Sequence, residues 1–140
     1  MTKTEIYALD LFCGCGGMSK GILDSGIKII AGIDIWDKAI ENYNKNFSNK
    51  NNKSGHQGLC RDLTKFPPEE FDKLFPNVKI DVICAGPPCQ GFSQAGLRDP
   101  KDPRNSLFME FVKYVHFYNP KMFIMENVMG ILSAINCSFI

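Results

Sequence analysis

Short apolar runs that end in a polar residue alternate along this chain with stretches of helical spacing. Residues 6–12 are mostly apolar and stop at the turn Gly14-Cys15-Gly16-Gly17. Residues 18–25 read as a helix that Gly26 closes as a C-cap. A second buried strand over 28–33 ends in Asp34, and 36–47 follows with Trp36, Ala39, Ile40, Tyr43 and Phe47 at helical spacing. Between 44 and 57 the composition turns to Asn, Lys and Ser, which reads as a solvated loop. A short strand over 58–60 leads to Asp62, and prolines bracket one or two helical turns within 67–75. A strand over 80–84 precedes a long polar loop. A helix over 106–118 then carries Leu107, Phe108, Phe111, Val112 and Val115 on its apolar face. A fifth strand over 122–125 ends in Glu126, and a further helix starts near Met129.

Strands alternating with helices predict βαβ units, right-handed crossovers and a doubly wound, mostly parallel α/β sheet. Asp10, Asp34, Asp62, Cys89 and Glu126 all fall near strand ends. They are expected on one rim, where open α/β sheets bind ligands. Nothing within the 140 residues covers the outer edge of the 122–125 strand, and a bare hydrophobic edge is a pairing hazard. The sheet is therefore expected to be incomplete at its C-terminal edge. Residues 1–140 then read as one partial domain: a fragment, a truncated gene product or one chain of a split protein.

Composition narrows the classes without choosing among them. With 44% hydrophobic and 22% charged residues the chain can bury a core, and its net charge of +1 gives no bulk attraction to a polyanion. No membrane span or signal-peptide core is visible, which points to the cytosol. The six cysteines are scattered, so free thiols are expected. Cys13-Gly-Cys15 lacks a second Cys/His pair, and no metal site is expected.

Candidate chemistry concentrates in residues 85–105, Ala-Gly-Pro-Pro-Cys-Gln-Gly-Phe-Ser-Gln-Ala-Gly-Leu-Arg-Asp-Pro-Lys-Asp-Pro-Arg-Asn. Two prolines end the preceding strand because neither can donate a ladder hydrogen bond. Cys89, flanked by Pro88 and Gln90, is then placed as a nucleophile, while Cys84 reads as an inert core thiol. Residues 91–104 are long enough for a binding loop, and Arg98 and Arg104 offer phosphate contacts. Glu126 follows an apolar strand; it is either a helix-capping acid or a proton donor facing Cys89. At the other side of the sheet the glycines let a ligand approach the backbone. Asp34 stands where an acid bonds ribose hydroxyls, and Trp36 is able to stack on a purine. No third glycine follows at the dinucleotide spacing, so an adenosyl ligand without a pyrophosphate fits better than NAD.

These stretches resemble the cytosine-C5 DNA methyltransferases. Residues 10–17 (Asp-Leu-Phe-Cys-Gly-Cys-Gly-Gly) are similar to that family's first motif, 86–93 (Gly-Pro-Pro-Cys-Gln-Gly-Phe-Ser) to its nucleophile motif, and Glu126-Asn127-Val128 to its carboxylate motif. The likeness runs from about Tyr7 to Leu132. It implies the Rossmann-like fold of S-adenosylmethionine-dependent methyltransferases. The cofactor would be held by Asp10, Phe12, Gly14, Cys15, Gly16, Gly17, Asp34, Ile35, Trp36, Asp62, Leu63 and Leu107. The catalytic residues it implies are Cys89, Glu126, Pro88 and Gln90, with Ser93, Arg98, Arg104, Asn127 and Val128 at the substrate. That substrate is double-stranded DNA with a flipped-out cytosine, in a restriction-modification or DNA-marking system of a bacterial or phage cytoplasm or nucleoid. The family's later arginine motif, target-recognition region and last cofactor motif are absent from these residues. The chain alone is therefore expected to be inactive, and a second chain would carry the missing motifs. A tRNA cytosine-C5 methyltransferase and a non-catalytic cofactor-binding module remain the alternatives; an NAD-type fold ranks below both.

Overall fold

The computed structural model describes residues 5–47, 56–88 and 107–128. Within them the chain alternates strand and helix: β1 (Tyr7–Leu11), α1 (Gly17–Asp24), β2 (Lys28–Asp34), α2 (Asp37–Phe47), β3 (Gln57–Cys60), a 3-10 turn (Leu63–Lys65), α3 (Pro68–Leu74), β4 (Val82–Ala85), α4 (Leu107–Tyr118) and β5 (Met122–Met125). The five strands form one sheet in the order β3-β2-β1-β4-β5, every neighbouring pair parallel. The strand order reverses direction between β1 and β4, which is where an open α/β sheet opens a crevice.

Alternation along the strands sends side chains to two helical layers. Leu9, Leu11, Ile33, Ile83 and Ala85 face the larger core, shared with Phe71 of α3 and Phe111 and Tyr114 of α4. Ala8, Val82 and Cys84 face Ile22 of α1. The second face has an unusual row, because register sets Gly58, Gly32, Asp10, Cys84 and Ile124 side by side across all five strands. Tyr43 of α2 fills the space that the glycines leave. A Cβ on Gly32 would fall 2.4 Å from its ring, and one on Gly58 2.9 Å. Two strand glycines thus let one aromatic ring lie directly on the sheet.

Several expectations are corrected. Asn44 belongs to α2, not to a solvated loop: its Oδ1 accepts from Gly58 N at 2.8 Å and its Nδ2 donates to Gly58 O at 3.4 Å. The buried face of α4 carries Phe111 and Tyr114, while Val112 is exposed. Tyr114 directs the rotation, since its hydroxyl donates to Phe66 O at 2.8 Å. Trp36 lies before α2 and is 62% exposed, so it adds nothing to that helix's packed face.

At the other margin, Met122, Phe123, Ile124 and Met125 of β5 are all exposed. Phe111 of α4 reaches Phe123 edge-on, with centroids 5.8 Å apart. The expected helix from Met129 lies outside the described residues.

Candidate active site at the sheet rim

The rim is built by backbone that continues the ladder just beyond each strand. Cys13 N donates to Ile33 O, Gly86 N to Leu11 O, Arg61 N to Asp34 O and Glu126 N to Ala85 O. Residues immediately after β1, β2, β3, β4 and β5 are therefore gathered at one end. Between them lies a cavity of about 250 Å³ lined by Phe12, Asp34, Ile35, Arg61, Asp62, Leu63, Gly86, Pro88 and Leu107. Apolar walls with two carboxylates suit a nucleoside-sized organic ligand.

The turn after β1 is shaped by strained backbone. Phe12 has φ 57, Gly14 φ 53 and Gly16 φ 96. Glycine enters that region freely, whereas a Phe there is held against its own preference. That strain sits where the Phe12 ring walls the cavity. Gly14 N donates to Asp34 Oδ2 at 2.9 Å, and Asp34 Oδ1 accepts from Trp36 N at 2.9 Å. Asp34 thus ties the turn to the end of β2, while each oxygen keeps a second lone pair for a diol. Asp62 caps the 3-10 turn, accepting Thr64 N at 3.0 Å and Thr64 Oγ1 at 2.7 Å. These bonds, the hydroxyl's foremost, lower its pKa.

Asp10 is not a rim residue. It is 1% exposed, and its Oδ2 accepts Ser19 Oγ at 2.6 Å and Ser19 N at 3.1 Å. Strand alternation turns it inward beneath α1, so the structure removes it from direct contact with the cavity. It caps α1 in place of Gly16, which occupies the N-cap without a side chain. Burial raises its pKa to about 6, opposed mainly by the Ser19 hydroxyl. Burial also pushes up the neighbouring thiols of Cys13 and Cys84, whereas Cys15 and Cys60 are exposed.

Of the expected cofactor residues, Phe12, Asp34, Ile35, Asp62, Leu63 and Leu107 meet at the cavity. Gly14, Cys15, Gly16 and Gly17 form the adjoining turn, and Trp36 stands outside the cavity lining. Arg61 and Gly86 line it without having been singled out in the sequence. Arg61 follows a strand end like the others, and that position was its available signal. Gly86 was visible as the residue before the proline pair.

Across the cavity from the turn, a Cβ built on Gly86 would lie 4.0 Å from Glu126 Oε2. Asn127 Nδ2 donates to Pro87 O at 3.4 Å, and Val128 N to Asn127 Oδ1 at 2.7 Å. The carboxylate segment after β5 is thereby fastened to the Gly86-Pro87-Pro88 segment after β4. Cys89, Gln90, Ser93, Arg98 and Arg104 lie outside the described residues.

Comparison with known proteins adds four findings. A family model described as C-5 cytosine-specific DNA methylase matches residues 6–137. The chain is 46% identical over 127 residues to the Type II methyltransferase M.DdeI of Desulfomicrobium norvegicum, covering 89% of this chain and 28% of that protein. It is 39% identical over 120 residues to the Type II methyltransferase M.HgiGI of Herpetosiphon aurantiacus, covering 86% and 88% respectively. Among solved structures, one described as a DNA modification methyltransferase encoded within an E. coli prophage superposes with a TM-score of 0.78 at 32% identity. It is matched over 96% of this chain and 37% of its own. The fold is accordingly the Rossmann-like one of these methyltransferases. Among the described residues no helix is long and apolar enough to cross a membrane.

Proposed function

This chain belongs to the C-5 cytosine-specific DNA methylase family, and from that premise we propose that it forms the cofactor-binding and nucleophile-bearing part of an enzyme methylating C5 of a cytosine flipped out of double-stranded DNA. It spans 28% and 35% of the length of the first two relatives, so the activity belongs to a larger assembly. The donor is S-adenosylmethionine, which supplies an electrophilic methyl group. Phe12, Ile35, Leu63 and Leu107 give the cavity its apolar walls, and the open lone pairs of Asp34 suit ribose hydroxyls.

The observation that carries this reading is Glu126 beside Gly86, at the tip of the strand next to the one that leads into Cys89. Cys89 as thiolate adds to C6 of the cytosine and forms a C–S bond, which pushes electron density toward N3 and C5. Glu126 holds a proton at N3, so the adduct carries no full anion. C5 then takes the methyl group. A base removes the C5 proton, the C5–H electron pair re-forms the C5–C6 double bond, and the thiolate leaves with the C–S pair. Extrusion of the base is required because a stacked cytosine presents no face to sulfur. Arg98, Arg104, Ser93, Gln90, Asn127 and Val128 are assigned to the DNA and the flipped base. The edge of β5, which pairs only with β4 among the described residues, is assigned to polypeptide carrying the remaining motifs.

Methyl transfer from tritiated cofactor provides the test. The 140-residue chain alone is expected to give no product on cytosine-bearing DNA. With the remaining motifs supplied, in one polypeptide or two, it labels duplex DNA and forms a stable complex on 5-fluorocytosine DNA that Cys89→Ser abolishes. Turnover by the chain alone refutes the assembly reading, labelling of tRNA instead of DNA refutes the substrate, and adduct formation without Cys89 refutes the mechanism.

A further inference from the structure

Asp10, Ser19, Tyr43 and His56 come from β1, α1, α2 and the segment before β3, yet their polar atoms form one continuous line. Ser19 Oγ lies 2.6 Å from Asp10 Oδ2, Tyr43 Oη 2.8 Å from Ser19 Oγ, and His56 Nε2 2.8 Å from Tyr43 Oη. An ionised Asp10 can only accept, which fixes every hydrogen along the line. Ser19 gives its proton to Asp10, Tyr43 gives its own to Ser19, and His56 must hold a proton on Nε2. The far atoms at both ends, Asp10 Oδ1 and His56 Nδ1, are buried without a partner among the described residues.

The same side chains are wedged against the glycine turn. A Cβ on Gly16 would fall 2.2 Å from the Phe47 ring and 2.9 Å from the Tyr43 ring, and Asn46 Nδ2 donates to Cys15 O at 2.9 Å. One line of hydrogen bonds therefore runs beneath the turn and ends on the carboxylate that caps α1.

We infer that this directed hydrogen-bond chain positions the glycine turn for its ligand, with Tyr43 as the positioning residue and His56 as the outer anchor. The inference rests on reading the adjoining cavity as the adenosyl pocket. Neither Tyr43 nor His56 lines that cavity, so both act through Ser19 and Asp10. Asp10 is faced by Ser19 from α1, Cys84 from β4, Cys13 from the turn and Asp34 from β2; His56 is faced by Tyr43 and Phe47 from α2. Among the described residues none of the groups around Asp10 is a cation, so neutral donors hold its ionised form, the Ser19 hydroxyl foremost, with the Cys84 thiol and the Ser19 amide. Each donor in such a chain strengthens the next, and losing the Tyr43 hydroxyl makes Asp10 easier to protonate.

The test measures amide exchange at Ser19 and in the turn, together with calorimetric binding of S-adenosylhomocysteine, on the 140-residue chain between pH 5 and 8. In the parent chain, protection at Ser19 and ligand affinity are expected to change together with a midpoint near pH 6, where Asp10 takes up a proton. Tyr43→Phe keeps the ring but is expected to exchange about 3- to 10-fold faster at Ser19, with the pH midpoint moved upward. His56→Gln keeps a donor and should match the parent, whereas His56→Leu should follow Tyr43→Phe. An unmoved midpoint in Tyr43→Phe, or identical behaviour of the two His56 variants, overturns the inference. If the parent chain binds no ligand, the pocket reading fails, while the exchange midpoints still decide on the chain.

Discussion

Asp10 and Asp81 are equally hidden, each 1% exposed, yet their carboxyl groups are driven in opposite directions. Asp10, beneath the turn at the carboxyl end of β1, has only hydroxyl, thiol and amide partners among the described residues, and desolvation lifts its pKa to about 6. Asp81, just before β4 at the opposite end of the sheet, accepts Tyr7 N at 3.2 Å and pairs with Lys121 at 3.0 Å and Lys79 at 3.2 Å. Desolvation opposes ionisation there too, but the two ammonium groups and the Tyr7 amide prevail and its pKa is lowered. Depth and partners together set the sign: Asp10 lies deep beneath α1 with no cation beside it among the described residues, whereas Asp81 lies within reach of two exposed lysines. The amino-terminal end of the sheet is wired for stability. The site end carries an ionised group that costs stability, as functional regions often do.

The heaviest blow to this contrast comes from the packing around Asp10. Gly32→Ala puts a methyl into the Tyr43 ring and should lower stability by about 3 kcal/mol, read as a reduced urea midpoint. Nearly as large is the pH effect of Asp10. Its folded pKa lies above the ordinary 3.8, so the folded state holds the proton more tightly. Stability is greatest below about pH 4 on this account and falls by about 3 kcal/mol as pH rises through 6. Asp10→Asn should flatten that slope in denaturation curves taken across the range.

Asp81 gives a smaller effect of opposite sign. Its contribution is present above the ordinary carboxyl pKa of 3.8 and disappears as pH falls from there through the lower folded value. Asp81→Asn should cost about 2 kcal/mol at pH 7 and remove that acid-side loss. Glu126→Gln changes stability least, by no more than about 0.5 kcal/mol, because the side chain is exposed and lies at the rim. In the completed enzyme it should nevertheless slow methyl transfer by about 10²-fold or more. An unchanged rate would remove Glu126 from the chemistry.

The sheet and its order of elements were legible because apolar runs and helical spacing alternate cleanly from Tyr7 to Met125. Strand ends gave most of the cavity, since a polar residue after a buried run has few places to go but the rim. Asp10 broke that rule because it lies one pleat earlier, inside β1 rather than after it, and alternation turns it under α1. Val112 and Trp36 were misplaced on helical faces because periodicity does not fix where a face starts; Tyr114 and its bond to Phe66 do. The Tyr43 key was not legible at all. It depends on Gly32 and Gly58 standing side by side on paired strands, and only register reveals that.

The unequal burial of the thiols has a practical consequence for labelling. Cys13 and Cys84 are sealed in the core with pKa values pushed upward, so the thiolate that an alkylating reagent needs is scarce there. Cys15 and Cys60, both exposed, should take up maleimide in minutes while the sheet is intact. Modification of Cys84 then becomes a clock for the opening of the sheet itself.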